Sequence, residues 1–173
     1  PQSPNQASAA DPFFASDGGG EPRTGAYWKL WSSCTEGNQA AVAASNGGRE
    51  AGWIIMDDVL EAPGISVGEL SVETCDRAVN IIDRLDATGT DKARDGGYAL
   101  AAELLVAQVN LAVGTEYCPA VDQAVRAGQL LLISLGYDGA GNYRAPGATV
   151  KDGEVARFLT DQLGAYNAGG LCR

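Results

Sequence analysis

The sequence predicts a mainly α-helical domain, a compact bundle of about four helices that is fastened by two disulfides. Three observations predict it. After residue 70, apolar residues recur at spacings of three and four, the period of one face of an α-helix. Four cysteines stand far apart in 173 residues, which is typical of disulfides formed in an oxidising, extracellular compartment. Hydrophobic residues make up 45% of the chain, enough for the core of one domain.

The first 23 residues predict an extended arm ahead of a domain over residues 24–173. They are rich in Pro, Ser, Ala and Gly and show no helical or strand period, a composition typical of linkers. Phe13 and Phe14 stand side by side between polar flanks. Because a solvated linker has no need of two phenylalanines, we expect them to dock, either on their own domain or on a neighbouring molecule.

The next segment carries much of the scarce aromatic area. Tyr27, Trp28 and Trp31 lie close together, and aromatic residues make up only 7% of the chain. We therefore expect this cluster to pack against the main core.

Between this cluster and residue 70 the predicted backbone is irregular. Residues 35–50 are rich in Gly, Asn and Ala and indicate irregular or weakly helical structure. Over residues 52–60 an apolar run ends in acids, where pattern alone does not separate a strand from a helix. Residues 65–70 follow a Pro-Gly turn and predict a short strand or hairpin.

Four helices are predicted from Ser71 onward. Ser71 is the expected N-cap of the first, with Glu73 in its first turn. A polar loop over residues 86–97 leads to the second helix, which extends to about Val113 along one apolar stripe of Leu100, Leu104, Ala107 and Leu111.

The third and fourth helices complete the bundle. The third begins at Pro119, because proline suits the first turn of a helix, and ends at Gly136. The fourth begins near Asp152 and places one set of residues on its apolar side: Val155, Phe158, Leu159, Gln162 and Tyr166.

The four cysteines, Cys34, Cys75, Cys118 and Cys172, are assigned to disulfides from this layout. Short connections make successive helices antiparallel neighbours, so Cys75 and Cys118 fall at the same end of the bundle. This predicts Cys75–Cys118 and leaves Cys34–Cys172. A Cys118–Cys172 pair stays open, because an antiparallel fourth helix ends at that same level.

Charge and composition exclude several functions. The formal net charge is −10, whereas nucleic acid and anionic membrane both select a basic surface. The sequence holds no apolar stretch long enough to span a bilayer. It contains no histidine, which removes the commonest general base and metal ligand. We therefore expect no enzymatic activity, no cofactor, no nucleic-acid partner and no membrane insertion.

Two acidic loops are the candidates for calcium, which binds six to eight oxygen ligands. One holds Asp138 and Asn142, and the other holds Asp86, Asp91 and Asp95. The first loop lacks the alternating acids and the final Glu of an EF-hand, so a plain turn built from Gly and Asx residues is the preferred interpretation.

Two further positions along the chain are candidates for a specific polar role. Trp53 lies close in sequence to Asp57 and Asp58, a composition found at sugar sites and the candidate for a ligand-binding region. Asn110 interrupts an apolar helix, and we expect a buried amide that hydrogen-bonds a neighbouring loop backbone.

Two stretches resemble a known family. Residues 24–29 read TGAYWK, and residues 95–114 read DGGYALAAELLVAQVNLAVG. Tyr27-Trp28-Lys29 and the helix Ala99 to Asn110 are similar to the GYWKNH-type domain found near the C-termini of secreted bacterial and archaeal surface proteins. The likeness covers roughly residues 24–135. After Lys29 this chain has Leu30-Trp31 where that family has Asn-His, so any role of that histidine does not transfer. The resemblance implies an extracellular, non-catalytic module.

Together these observations predict a structural or assembly module at the cell surface, a subunit of a fibre or layer whose arm packs on a neighbour. The expected partner is another copy or another surface protein. The alternative is an extracellular module that binds a glycan or a protein.

Overall fold

The structure of the protein is a computed structural model. It describes residues 20–36, 39–61, 64–143 and 150–172, without the side chains of residues 150 and 151. Within these residues the fold is mainly helical, as the sequence predicts. The elements in chain order are α1 (Gly25–Leu30), α2 (Ala40–Ser45), a 3₁₀ helix (Gly48–Ala51), α3 (Met56–Leu60), β1 (Ser66–Val67), β2 (Leu70–Ser71), α4 (Cys75–Ile82), α5 (Gly96–Ala112), α6 (Pro119–Ser134) and α7 (Val150–Asn167).

Helix α5 is the centre of the fold. Helices α1, α3, α4, α6 and α7 and strand β1 all contact it, and most of its 17 residues are buried. A helix that is apolar on every side is stable only when other elements cover it on every side. The single stripe predicted for this helix was therefore too narrow: Ala101 and Leu105 are buried as completely as Leu100, whereas Leu111 is only half-buried.

The N-terminal half of the domain forms short elements. Of residues 52–60, left open between strand and helix, Met56–Leu60 form α3. Asp58 caps its first turn by accepting a hydrogen bond from the Ile55 amide at 2.9 Å. The predicted hairpin is confirmed: β1 and β2 pair antiparallel, with Ser66 opposite Ser71. The predicted cap of α4 is wrong. Ser71 belongs to β2, and the Thr74 side chain accepts the hydrogen bond of the first turn from the Arg77 amide.

All four cysteines form disulfides, but the preferred pairing was wrong. The bonds are Cys34–Cys75 and Cys118–Cys172. The prediction considered helices alone, whereas α1 and α3 pack on α4 and bring Cys34 to its N-terminus. Helix α7 returns antiparallel to α6, so Cys172 meets Cys118, the N-cap of α6, as the open alternative allowed.

Trp28, Met56, Leu104, Leu132 and Leu163 belong to one continuous core around α5. The expected burial of the aromatic cluster is confirmed for Trp28 and Trp31, while Tyr27 is half-buried. Of the helices that the structure describes, none is long and apolar enough to cross a membrane. Phe13 and Phe14 lie outside the described residues.

Candidate functional site

Asn110 joins three parts of the chain inside the core. Its side chain is completely buried. Its Oδ1 accepts hydrogen bonds from the Arg23 amide and from Trp28 Nε1, both at 2.9 Å. Its Nδ2 donates to the Arg23 carbonyl at 2.8 Å and to Asn167 Oδ1 at 3.1 Å. The expectation of a buried amide that binds a neighbouring backbone is confirmed, and because all four bonds are made the group is well tolerated in the core.

A row of stacked side chains runs from the start of α1 to Trp53. The Arg23 guanidinium lies 5.1 Å from the centre of the Tyr27 ring. Tyr27 stacks on Trp31 at 6.0 Å, and Trp31 stacks on Trp53 at 5.6 Å between ring centres. Trp53 is half-buried at one end of this row, so one of its faces is already occupied by Trp31.

The carboxylates of Asp57 and Asp58, the ligand candidates close to Trp53 in sequence, accept hydrogen bonds from other groups of the chain. Asp57 Oδ2 accepts the Ser33 amide at 2.9 Å, and its Oδ1 accepts the Ser33 hydroxyl at 2.5 Å. Asp58 caps α3 through the Ile55 amide. Both carboxylates therefore hold the segments around α3 in place. This structural role explains why two acids stand side by side here, and no ligand is needed to explain them.

The loop after α6, a calcium candidate, is organised around a tyrosine hydroxyl. Tyr143 Oη accepts hydrogen bonds from the amides of Asp138, Gly139 and Gly141 at 2.9–3.1 Å and donates to Asp138 Oδ1. Asp138 Oδ1 also accepts the amides of Ala140 and Gly141. A calcium loop turns oxygens inward, whereas this loop turns N–H groups inward.

The same contacts shift the pKa values of Asp138 and Tyr143. The hydroxyl of Tyr143 lowers the pKa of Asp138, because the hydrogen bond favours the carboxylate. Burial raises the pKa of Tyr143, and the carboxylate of Asp138 raises it further. Asn142, the second calcium candidate here, accepts a hydrogen bond from Lys92 Nζ at 2.9 Å.

In the second calcium candidate loop, the acidic side chains also accept hydrogen bonds from groups of the same loop. Asp86 Oδ1 accepts from the Thr88 amide, the Thr88 hydroxyl and the Thr90 amide at 2.6–3.0 Å. The Thr88 hydroxyl is the largest of the causes that lower the pKa of Asp86 to about 2. Asp91 accepts the Ala93 amide at 2.7 Å.

Asp95 completes this loop and starts α5. It is buried, and as the N-cap it accepts the Gly97 amide at 2.9 Å and the Tyr143 amide at 2.8 Å. Among the residues that the structure describes, no group of three acidic or cysteine side chains is placed to hold a metal ion. The expected lack of a metal stays a prediction.

A cavity of about 400 Å³ opens at the start of α5, lined by Arg94, Gly97, Tyr143, Ala156, Arg157 and Thr160 among others. Gly97 is required here, because a β-carbon at this position would lie 2.6 Å from the Tyr143 Cβ.

Four large apolar side chains on the last two helices face solvent. On α6, Leu130 is 67% exposed and Ile133 is 41% exposed; on α7, Val155 is 39% exposed and Phe158 is 61% exposed. The prediction that Val155 and Phe158 lie on the apolar side of this helix is wrong, because Ala156, Leu159, Leu163 and Tyr166 form its buried side.

The sequence does indicate that apolar side chains near Leu130 and Ile133 are exposed. Residues 130–133 read LLLI, and four consecutive helical residues cover more than a full turn. They cannot all face one core. At least one of these four side chains therefore had to lie outside the buried face.

The comparisons with known proteins find no relative. No family model, no curated protein and no solved structure matches this chain.

Proposed function

We propose that the chain is a non-catalytic extracellular structural module, a subunit of a cell-surface fibre or layer in which the N-terminal arm packs on a neighbouring molecule. Two disulfides among the four cysteines support an oxidising compartment. The acidic net charge of −10 supports a partner other than nucleic acid or anionic lipid.

The use of the acidic side chains supports a structural role. Asp57, Asp58, Asp86, Asp95 and Asp138 each accept hydrogen bonds from amide or hydroxyl groups of their own chain. Carboxylates that cap helices and hold loops serve the fold. A catalytic pair, by contrast, needs carboxylates that face a substrate across a cleft.

The exposed apolar side chains of α6 and α7 carry the proposal. Single exposed hydrophobic residues are normal on a protein surface. Of the five large apolar side chains that are exposed among the described residues, four stand on the two C-terminal helices, two on each and three residues apart, and the fifth, Tyr117, lies just before α6. Each pair therefore occupies one side of its helix. Contiguous exposed apolar area is a mark of interaction surfaces, and the arm offers Phe13 and Phe14 to cover such an area.

The test is the association state of the full chain. We expect polymers or large assemblies in electron micrographs and in sedimentation velocity over a concentration series. Changing Phe13→Ser and Phe14→Ser together is expected to leave a folded monomer, because the arm then has no apolar anchor. The matched control changes Gln2→Ser and Gln6→Ser in the same arm and should assemble as the unchanged chain does.

The alternative function predicts a different association state. An extracellular module that binds a glycan or another protein stays monomeric at high concentration. Monomeric full-length chain that is unaffected by either pair of arm changes would reject the assembly proposal and favour the binding module.

A further inference from the structure

We propose that Cys34 is a site of thiol–disulfide exchange, at which a small external thiol opens the Cys34–Cys75 bond while Cys118–Cys172 stays closed. Exchange begins when a thiolate attacks one sulfur of a disulfide and expels the other. Its rate depends on access to the attacked sulfur and on the stability of the thiolate that leaves. The site is independent of the N-terminal arm, because all four cysteines lie in the described domain.

The two disulfides have the same local arrangement. In each, one cysteine begins a helix: Cys75 is the first residue of α4, and Cys118 is the N-cap of α6. Their partners, Cys34 and Cys172, lie in irregular segments. The partial positive charge at a helix N-terminus favours a thiolate. In both bonds, attack on the cysteine of the irregular segment therefore expels a thiolate that a helix N-terminus stabilises.

Exposure separates the two bonds. Cys34 is exposed, whereas Cys172, at the corresponding place in the other bond, is half-buried. Cys172 also packs against the main core, as do Cys75 and Cys118. A thiol in solvent therefore reaches Cys34 in the folded protein, whereas it reaches Cys172 only after part of the core has opened.

Two molecules of the external thiol balance the reaction. The first thiolate attacks Cys34 Sγ, the Cys34–Cys75 bond breaks, and its electron pair leaves on Cys75 Sγ, which takes a proton from water. A second thiolate attacks the external sulfur of the mixed disulfide and releases Cys34, which is protonated in the same way. The two external thiols are oxidised to one disulfide, and the protein disulfide is reduced to two thiols.

Carboxylates near the bond select the charge of the thiol. Glu36 is exposed two residues after Cys34, and Asp76 follows Cys75 in the first turn of α4. Arg77, in the same turn, donates to a carbonyl of β2 at 2.9 Å. The acids repel an anionic thiol, and Asp76 also offsets part of the stabilisation that the helix gives to the leaving thiolate. We therefore expect the site to react with small neutral or cationic thiols.

Opening the bond releases the least buried part of the domain. In residues 40–51, which form α2 and the 3₁₀ helix, Ala43 is the only buried residue. Segments with few buried contacts open locally at low cost in free energy. The disulfide links the start of this segment to α4. Once the bond opens, we expect faster amide exchange over residues 35–53, while α1 stays docked through Trp28 and Asn110.

The unchanged full-length chain tests the site, with the second disulfide as its internal control. Folded protein is treated with cysteamine, a small cationic thiol, then quenched in acid, and free thiols are blocked with N-ethylmaleimide. Trypsin places the four cysteines in separate peptides, residues 30–49, 50–77, 95–126 and 158–173. The first two should be labelled faster than the last two by about tenfold or more, because exchange depends on access to the attacked sulfur. At early times the mixed disulfide should lie on Cys34 and the free thiol on Cys75.

Two further measurements test the charge selection and the released segment. Mercaptoethanesulfonate, an anionic thiol of similar size, should react more slowly than cysteamine once each rate is divided by its rate with the uncharged hydroxyethyl disulfide. Added salt should narrow that difference. Hydrogen exchange should speed up over residues 35–53 of the opened protein and stay unchanged over α5 and α6. The variant Cys34→Ser with Cys75→Ser should show the same exchange pattern without any thiol.

Each contrary outcome overturns a stated part. Equal labelling of the two bonds would show that thiols enter only through global unfolding, and faster opening of Cys118–Cys172 would reverse the assignment. A mixed disulfide on Cys75 would exclude Cys34 as the attacked sulfur. Equal normalised rates for the two thiols would reject the charge selection, and unchanged hydrogen exchange would reject the released segment. The association state of the chain is measured separately, so failure here leaves the proposed function standing.

Discussion

Trp28 Nε1 donates a hydrogen bond to Asn110 Oδ1 at 2.9 Å, and both side chains are completely buried. The two residues are 82 positions apart in sequence. Trp28 belongs to α1 and Asn110 to the last turns of α5, so the bond fixes how the N-terminal segment docks on the central helix. Residues 24–29 and 95–114, the two stretches on which the proposed resemblance rests, meet in this contact.

Asn110→Ala is expected to destabilise the domain by about 3–5 kcal/mol. The substitution leaves Trp28 Nε1 and the Arg23 amide without their acceptor, and each buried group left unpaired costs about 1–3 kcal/mol. Urea denaturation followed by tryptophan fluorescence measures the free energy of unfolding. Gln123→Ala, at an exposed position of α6, is the control and should change it by less than about 0.5 kcal/mol.

A double-mutant cycle with Trp28→Phe isolates the bond itself. If the bond couples the two residues, the double variant loses less stability than the sum of the single losses, by about 0.5–3 kcal/mol. Additive losses would show that Asn110 acts through its other three partners.

Helices α5, α6 and α7 could be predicted from the sequence because each is longer than three turns, whereas α4, with eight residues, was predicted with the wrong cap. Pro119 marks the start of α6, and the apolar period runs through α5 and α6. The short helices of the N-terminal half could not be predicted, because α1 and α3 have six and five residues. Helices this short depend on tertiary packing and capping, which periodicity does not report.

The sequence predicted the environment of single residues better than the sites they build. Asn110 was recognisable as a buried amide because a polar residue in an apolar helix must find partners. The role of Tyr143 was not recognisable, because nothing local indicates that one hydroxyl accepts three amides of the preceding loop. The disulfide pairing was missed for a similar reason, since it depends on how α1 and α3 pack on α4.

Tyr143→Phe is expected to cost about 2–4 kcal/mol of stability. It removes the hydroxyl that accepts the amides of Asp138, Gly139 and Gly141, and those donors are at least partly buried. Tyr137→Phe is the matched control. The Tyr137 hydroxyl is buried and finds no hydrogen-bond partner among the described residues, so its removal should be neutral or stabilising. Equal losses for both variants in thermal melting would contradict this assignment.

Chelation by EDTA and addition of calcium are both expected to leave the melting temperature unchanged. The loop of Asp138 and Asn142 turns amide N–H groups toward its centre, and Asn142 already binds Lys92. Ligand binding to the folded state alone raises stability with concentration. A melting temperature that falls in EDTA and recovers with calcium would therefore establish a site.

Asp86 is expected to contribute to acid sensitivity in a defined window. Hydrogen bonds from Thr88 and Thr90 lower its pKa from 3.8 to about 2. A carboxyl with a lower pKa in the folded state contributes its full stabilisation above the unfolded value, and that contribution is lost as the pH falls from about 3.8 to about 2. Asp86→Asn should be less stable at pH 6 and should lose less stability than the unchanged chain between pH 4 and pH 2, measured by urea titrations at each pH. Parallel pH profiles of the two proteins would contradict the shift.

The disulfide pairing makes the most direct prediction, because neither bond links the chain before residue 76 to the chain after residue 117. All four cysteines are bonded, so the intact mass should be four hydrogens below the reduced value. Trypsin cleaves after Arg77, Arg84, Lys92 and Arg94, all between Cys75 and Cys118. Under denaturing, non-reducing conditions the digest should contain Cys34 joined to Cys75 and Cys118 joined to Cys172, and reduction should release four separate cysteine peptides. Peptides that join Cys75 to Cys118 would instead restore the pairing predicted from helix order.

Reduction of the two disulfides should also lower the melting temperature markedly. The bonds span 41 and 54 residues, and the loss of chain entropy in the unfolded state assigns about 4 kcal/mol of stability to each.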